Sequence, residues 1–153
     1  TDILALVTDT HRGMRRNGQE LKLVVIDHIG LVKPRGDMAR QSREQQVAEV
    51  SRATRGIAER FDCHVLACCQ INRAAEQRKG AEKRPQIHDL RESGTIENDA
   101  DIIVLVHRAR DASGLFLPAP AEIVVAKNRI NGGLGMVRAR FDGAFQTFTE
   151  VYE

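Results

Sequence analysis

Two hydrophobic periods alternate along the chain, one of 3.6 residues and one of near-continuous apolar runs. Residues 1–17 set Ile3, Leu6, Val7, Thr10 and Met14 on one helical face. Thr1 or Asp2 is the expected cap, and Asn17-Gly18 ends the helix as a C-cap does. Leu21-Lys22-Leu23-Val24-Val25-Ile26-Asp27-His28 follows, an apolar run closed by a carboxylate. Without polar alternation it predicts a strand over 21–26 buried on both faces of a parallel sheet. Lys33-Pro34-Arg35-Gly36-Asp37 is turn chemistry. Residues 40–61 predict the longest helix, with Val47, Val50, Thr54, Ile57 and Phe61 as its apolar stripe. A second strand runs from His64 to Cys69 and ends in Gln70.

The pattern then breaks. Residues 71–92 hold few apolar positions and many cations, among them Arg73, Arg78, Lys79, Lys83, Arg84 and Arg91. A loop of this length is functional or disordered, and both a solvated loop and one that binds a phosphate backbone remain open. Thr95 to Asp99 reads as a short helix, and Asp101 to His107 as a third buried strand. A loop at 110–120 precedes a strand over 121–127, and Asn131-Gly132-Gly133 signals a hairpin. Met136 to Phe141 and Ala144 to Phe148 alternate as antiparallel strands about a tight Asp142-Gly143 turn. The expected fold is α/β, with parallel strands and helices followed by a C-terminal antiparallel β-meander.

Composition narrows the chemistry. The 153 residues fit one domain with a real core. A net charge of +2 permits nucleic acid as a partner without demanding it. With 4% aromatic residues and no Trp, a base-stacking platform is not expected. No apolar run approaches the roughly 20 residues that span a bilayer, and a signal peptide is not expected, because the chain opens on Thr1-Asp2 and not on a basic and then apolar stretch. Three cysteines, two of them adjacent, make a poor disulfide framework and point to a reducing, cytoplasmic setting. No CxxC or paired Cys/His spacing suggests a zinc site. Open parallel sheets place their chemistry at the carboxyl ends of strands. Asp27 is therefore a candidate to hold Mg²⁺, directly or through water, against the simpler reading of a turn or helix cap.

Four stretches in order carry a resemblance: LKLVVIDHIGLV, EVSRATRGIAERFDCHVLACCQINRAAEQR, KRPQIHDLRESGTIENDADIIVLVHR and AEIVVAKNRINGGLGMVRARFDGAFQTF. Together they resemble the C-terminal, RecA-like ATPase domain of DnaB-type replicative DNA helicases, over essentially the whole chain. The resemblance implies a partial RecA-like P-loop NTPase core over 1–153, from the Walker-B strand to the C-terminal end. It implies ATP and Mg²⁺ as ligands. Single-stranded DNA and neighbouring identical subunits of a homohexamer are the implied partners, with primase and a helicase loader beside them. Asp27 is similar to the Walker-B aspartate, and Gln70 resembles the glutamine that senses the γ-phosphate. Lys127 and Arg129 resemble the basic pair that reaches the neighbouring subunit's nucleotide, Arg129 as the arginine finger. Two residues apart on a strand, they are expected to point to one side. Arg91, Glu92 and Gly94 match the family's channel-facing DNA loop, with Arg73 and Arg78 as further DNA contacts. Taken without the resemblance, Gln70 is a polar strand end, Lys127 and Arg129 are edge-strand charges, and Arg91 and Glu92 are a surface pair.

The chain also departs from the family. No G-x₄-G-K-[ST] phosphate loop occurs in it, and the family's catalytic glutamate has no match. The expectation is a piece of a longer ATP-dependent DNA helicase that does not hydrolyse ATP alone. His28 and Gly30 stand where an aromatic residue and a Gln are usual, and Cys69 where Ser is common. The turn after Arg129 is one residue longer than the family's. A recombinase-type RecA-like ATPase and a non-catalytic DNA-binding or assembly module are the alternatives.

Overall fold

Parallel and antiparallel pairing occur in separate parts of the molecule. The computed structural model describes residues 3–32, 42–72, 78, 84–90, 94–111 and 113–151. It forms two compact units, Thr1–Asn72 with Leu90–Ala100, and Arg73–Asp89 with Asp101–Glu153. The expected cap at Thr1 or Asp2, the Lys33–Asp37 turn, and the site residues Arg73, Arg91 and Glu92 lie outside the described residues.

The first unit opens with α1 (Ile3–Arg16). It ends at Gly18, whose φ of +70° only glycine adopts cheaply. There the amides of Asn17, Gly18 and Gln19 return to the carbonyls of Met14 and Arg15. Val7 is buried, but Leu6 stays exposed. The packed stripe runs instead through Ile3, Val7, His11 and Met14, with the His11 ring 5.1 Å from that of Phe61. α2 (Arg43–Phe61) starts with a capping box in which Ser42 and Gln45 exchange hydrogen bonds, and Asp62 ends it in the left-handed region. Its inner face buries Val47, Val50 and Ile57, each stabilising by about 2 kcal/mol. Ser51 donates to Asp99 Oδ2 at 2.7 Å and ties α2 to α3 (Gly94–Asp99).

β1 (Leu23–Ile26) and β2 (His64–Ala67) pair in parallel, Leu23 opposite His64 and Ile26 opposite Ala67. Ile26 packs into a core with Ile29, Val47 and Val50. The expected double-sided burial does not hold within this chain: Leu23 and Val25 are 54% and 57% exposed. Helix packing covers one face of the pair only.

The second unit is a four-stranded antiparallel sheet in the order β3 (Ile102–His107), β4 (Ala121–Asn128), β5 (Gly135–Asp142), β6 (Thr147–Glu150). β3 pairs antiparallel with β4 and opens the meander. Its burial alternates, with Ile103 and Leu105 inside and Ile102, Val104 and Val106 exposed, so it is half-covered instead of buried on both faces. The β3–β4 connection is itself structured. Asp111 accepts hydrogen bonds from the Ser113 amide and hydroxyl and the Leu115 amide, and Arg110 bridges to Phe116. The Arg108 guanidinium lies 3.9 Å from the Phe116 ring centre and 4.3 Å from that of Phe141.

The last hairpin differs from the expected tight Asp142-Gly143 turn. Asp142 pairs with Thr147, and Asp142 Oδ1 accepts from the amides of Ala144 and Phe145. Gln146 takes the positive φ of 52° instead of Gly143. That side-chain cap makes a four-residue loop more favourable than a two-residue one.

Candidate functional site

Level strand ends build the first constellation. Because Ile26 lies opposite Ala67, Asp27 and the Cys68-Cys69-Gln70 segment leave the parallel pair at the same, carboxyl edge. Backbone hydrogen bonds hold them there, Cys68 to Ile26 at 2.9 Å and Ile29 to Cys68 at 3.0 Å. A pocket of about 240 Å³ opens beside this edge, lined by His28, Ile29, Gly30, Arg43, Val47, Cys69 and Gln70. A larger cleft of about 350 Å³, lined by His11, Arg15, Lys22 and Phe61 among others, lies at the amino end of β1. Open parallel sheets bind ligands at carboxyl ends, so the smaller pocket is the candidate.

Asp27 is exposed, and its carboxylate meets no hydrogen-bond or ion-pair partner among the described residues. A hard oxygen donor open to water suits Mg²⁺, which keeps several waters and takes one or two carboxylates from protein. An exposed carboxylate at this edge is therefore a donor of the kind that ion takes. The Gln70 side chain is likewise exposed on the pocket rim and without a described partner.

Three further residues shape this pocket. Arg43, in the first turn of α2, donates from Nη2 to the Gly30 carbonyl at 2.5 Å, which brings a permanent cation to the wall. A Cβ at Gly30 would stand 2.8 Å from the His28 ring, so Gly30 makes room for that ring. His28 Nδ1 is buried and has no hydrogen-bond partner among the described residues. Sequence reasoning missed Arg43; the Ser42-x-x-Gln45 capping box, which fixes where α2 begins, is the signal that could have found it.

The second constellation belongs to the second unit. Lys127 is half-buried near the end of β4, opposite Ile103. The register slips between Ile103 and Val104, a bulge that re-aims the strand end. β4 stops at Asn128, so Arg129 stands one residue beyond it and the pleat does not set its direction. Asp101 does: the Arg129 amide donates to its carbonyl at 2.8 Å and Nη1 to its carboxylate at 3.0 Å. Of the predicted DNA contacts, Gly94 is the exposed first residue of α3. Arg78 is ion-paired with the buried Asp89, which also accepts the Gln86 amide. Arg84 makes a two-pronged pair with Glu122, 2.7 Å on each side.

The family description "DnaB-like helicase C terminal domain" matches residues 2–150. The chain belongs to that family. It is 35% identical to the replicative DNA helicase DnaB of Geobacillus stearothermophilus over 95% of its own length and 32% of the relative's. To the namesake of Leifsonia xyli subsp. xyli it is 41% identical, over 86% of this chain and 28% of that one. The chain thus spans about a third of the curated relatives it matches. Among solved structures, a DnaB-like replicative helicase described with its primase interactions superposes with a TM-score of 0.80 at 32% identity, covering 96% of this chain and 35% of that one. A second solved structure, of an ATPase domain, gives a TM-score of 0.79 at 33% identity, over 96% of this chain and 50% of that one. The RecA-like fold expected from the resemblance is thereby met. These curated relatives bear the name of replicative helicases, not of recombinases. Among the described residues, no helix is long and apolar enough to cross a membrane, and all three cysteines are free thiols.

Proposed function

We propose that the protein carrying this DnaB-type domain is an ATP-dependent replicative helicase. It would hydrolyse ATP at subunit interfaces of a homohexameric ring and draw single-stranded DNA through the channel. The observation that carries the reading is the level emergence of Asp27 and Gln70 at the carboxyl edge of the parallel pair, where Gln70 lines a pocket. Mg²⁺ bound there would supply positive charge to neutralise phosphate oxygens. Asp27 supplies the carboxylate that positions it, and Gln70 touches the terminal phosphate and passes its presence to the segment that follows. Lys127 and Arg129 act on the neighbouring subunit's nucleotide. Arg91, Glu92 and Gly94 face DNA, with Arg73 beside them. Arg78, ion-paired with Asp89, is a further DNA contact. Such contacts grip phosphates without reading sequence. The site of action is the cytoplasm, with primase and a loader as partners.

Without a phosphate loop of its own, this stretch alone is inactive in ATP hydrolysis. In the intact protein, Arg129→Ala lowers DNA-stimulated ATP turnover by about a thousandfold while ATP still binds. An equal loss of ATP binding would assign Arg129 to its own subunit's pocket and defeat the reading. DNA binding weakens steeply with salt if phosphate contacts dominate, which a titration with labelled oligo-dT reads directly.

A further inference from the structure

Arg129 is held at both ends by one residue. Its amide donates to the Asp101 carbonyl at 2.8 Å, and its guanidinium Nη1 to the Asp101 carboxylate at 3.0 Å. The surroundings fix the backbone of both. The bulge at Ile103/Val104 sets the end of β4. Beyond Arg129, the Asn128 side chain accepts from the Ile130 amide at 3.1 Å and donates to the Gly133 carbonyl at 3.1 Å, which makes the turn rigid. The guanidinium contact is half open to water, 50% and 55% exposed on its two sides, so another anion has access to it.

We propose that Asp101 is the positioning residue of the finger: its carboxylate parks the Arg129 guanidinium and competes for it with the neighbouring subunit's nucleotide phosphates. This rests on the reading of Arg129 given above. An exposed carboxylate–guanidinium pair biases an equilibrium by only a few-fold. A polyphosphate, with more charge and several acceptor oxygens in reach of a planar fork, outcompetes it. The finger is therefore kept off stray anions, yet released when a nucleotide is presented.

The test uses inorganic triphosphate as the probe, titrated into this chain by NMR of the arginine side chains. Asp101→Asn tightens triphosphate binding about two- to fivefold. Glu150→Gln, which removes the same charge from the same sheet, does not, and Asp101→Glu restores the original affinity. In the intact protein, Asp101→Asn raises DNA-independent ATP turnover by a similar factor with KM unchanged, whereas a merely structural residue would lower it. The proposal fails if Asp101→Asn binds triphosphate no more tightly than Glu150→Gln, or if the gain survives in Asp101→Asn/Arg129→Ala. Should Arg129→Ala leave turnover of the intact protein untouched, the finger reading falls while the triphosphate result still decides the parking contact.

Discussion

The two units solve the placing of charge in opposite ways. In the first, Gln70 lines a concave pocket whose wall includes Arg43 and His28, and Asp27 leaves the neighbouring strand at the same edge. In the second, Lys127 and Arg129 stand at a strand end, and Arg129 is held by a half-exposed carboxylate. A concave site surrounds its ligand and can hold it within one molecule. A cation on an exposed turn gains little in high dielectric unless another molecule brings the anion and excludes water. The contrast thus agrees with one constellation acting in its own subunit and the other on a neighbour.

The units differ equally in what holds them, and the largest effect should come from the first. Ile57 on α2 has no solvent exposure, so Ile57→Ala costs about 3–4 kcal/mol of stability. Hydrogen exchange should then quicken in α2 and β1 while the β4–β5 amides keep their protection; equal loss in both would make the units one cooperative body. Next, Arg84→Ala strands the largely buried Glu122 and costs about 2 kcal/mol by urea unfolding. Arg129→Ala, by contrast, changes stability by under about 0.5 kcal/mol. If the two arginines proved alike, the distinction between a structural and a working cation would collapse.

Gly30→Ala sharpens the contrast further. The added methyl meets the His28 ring at 2.8 Å and Arg43 at 3.2 Å, and both are side chains able to move. We expect a cost of about 1 kcal/mol, read as a lower melting temperature, and a Gln70 signal shift in NMR with none at Arg129. The smallest effect is one of pH. Burial holds the half-buried His107 below its ordinary value of 6.5, against the pull of Glu122 and with a smaller push from Arg84. Between that lowered value and 6.5 the unfolded chain binds more protons than the folded one. Stability is therefore complete above about pH 6.5 and declines as pH falls below it. His107→Gln should flatten the urea midpoint between about pH 5 and 7; an unchanged slope would place the titration elsewhere.

Much of this was legible locally. Gly18 and Asp62 end the two long helices where their residue types allow a left-handed backbone. Val47, Val50 and Ile57 recur at helical spacing and are buried. Asp27 and Gln70 each follow an apolar run, and the resemblance assigns them roles. Misreadings arose where a side chain or a distant segment intervened. On α1, His11 meets the Phe61 ring while Leu6, expected on the packed face, stays exposed. Asp142 lengthened a turn that Asp-Gly alone would have made tight. β3 reads as apolar throughout, yet one side of it is open.

The sequence by itself determined the order and kind of elements, the end of the first helix at Gly18, the family, and the absence of a phosphate loop within these residues. Those follow from spacing and residue type over a few turns of chain. Tertiary structure alone decided the rest. It decided that β1 and β2 end level, that Arg43 from 13 residues away closes the Gly30 carbonyl, and that Asp101 holds Arg129 across 28 positions. Parallel register and long-range ion pairs carry no local signature, because their partners meet only when loops close and packed faces fix which strand ends coincide.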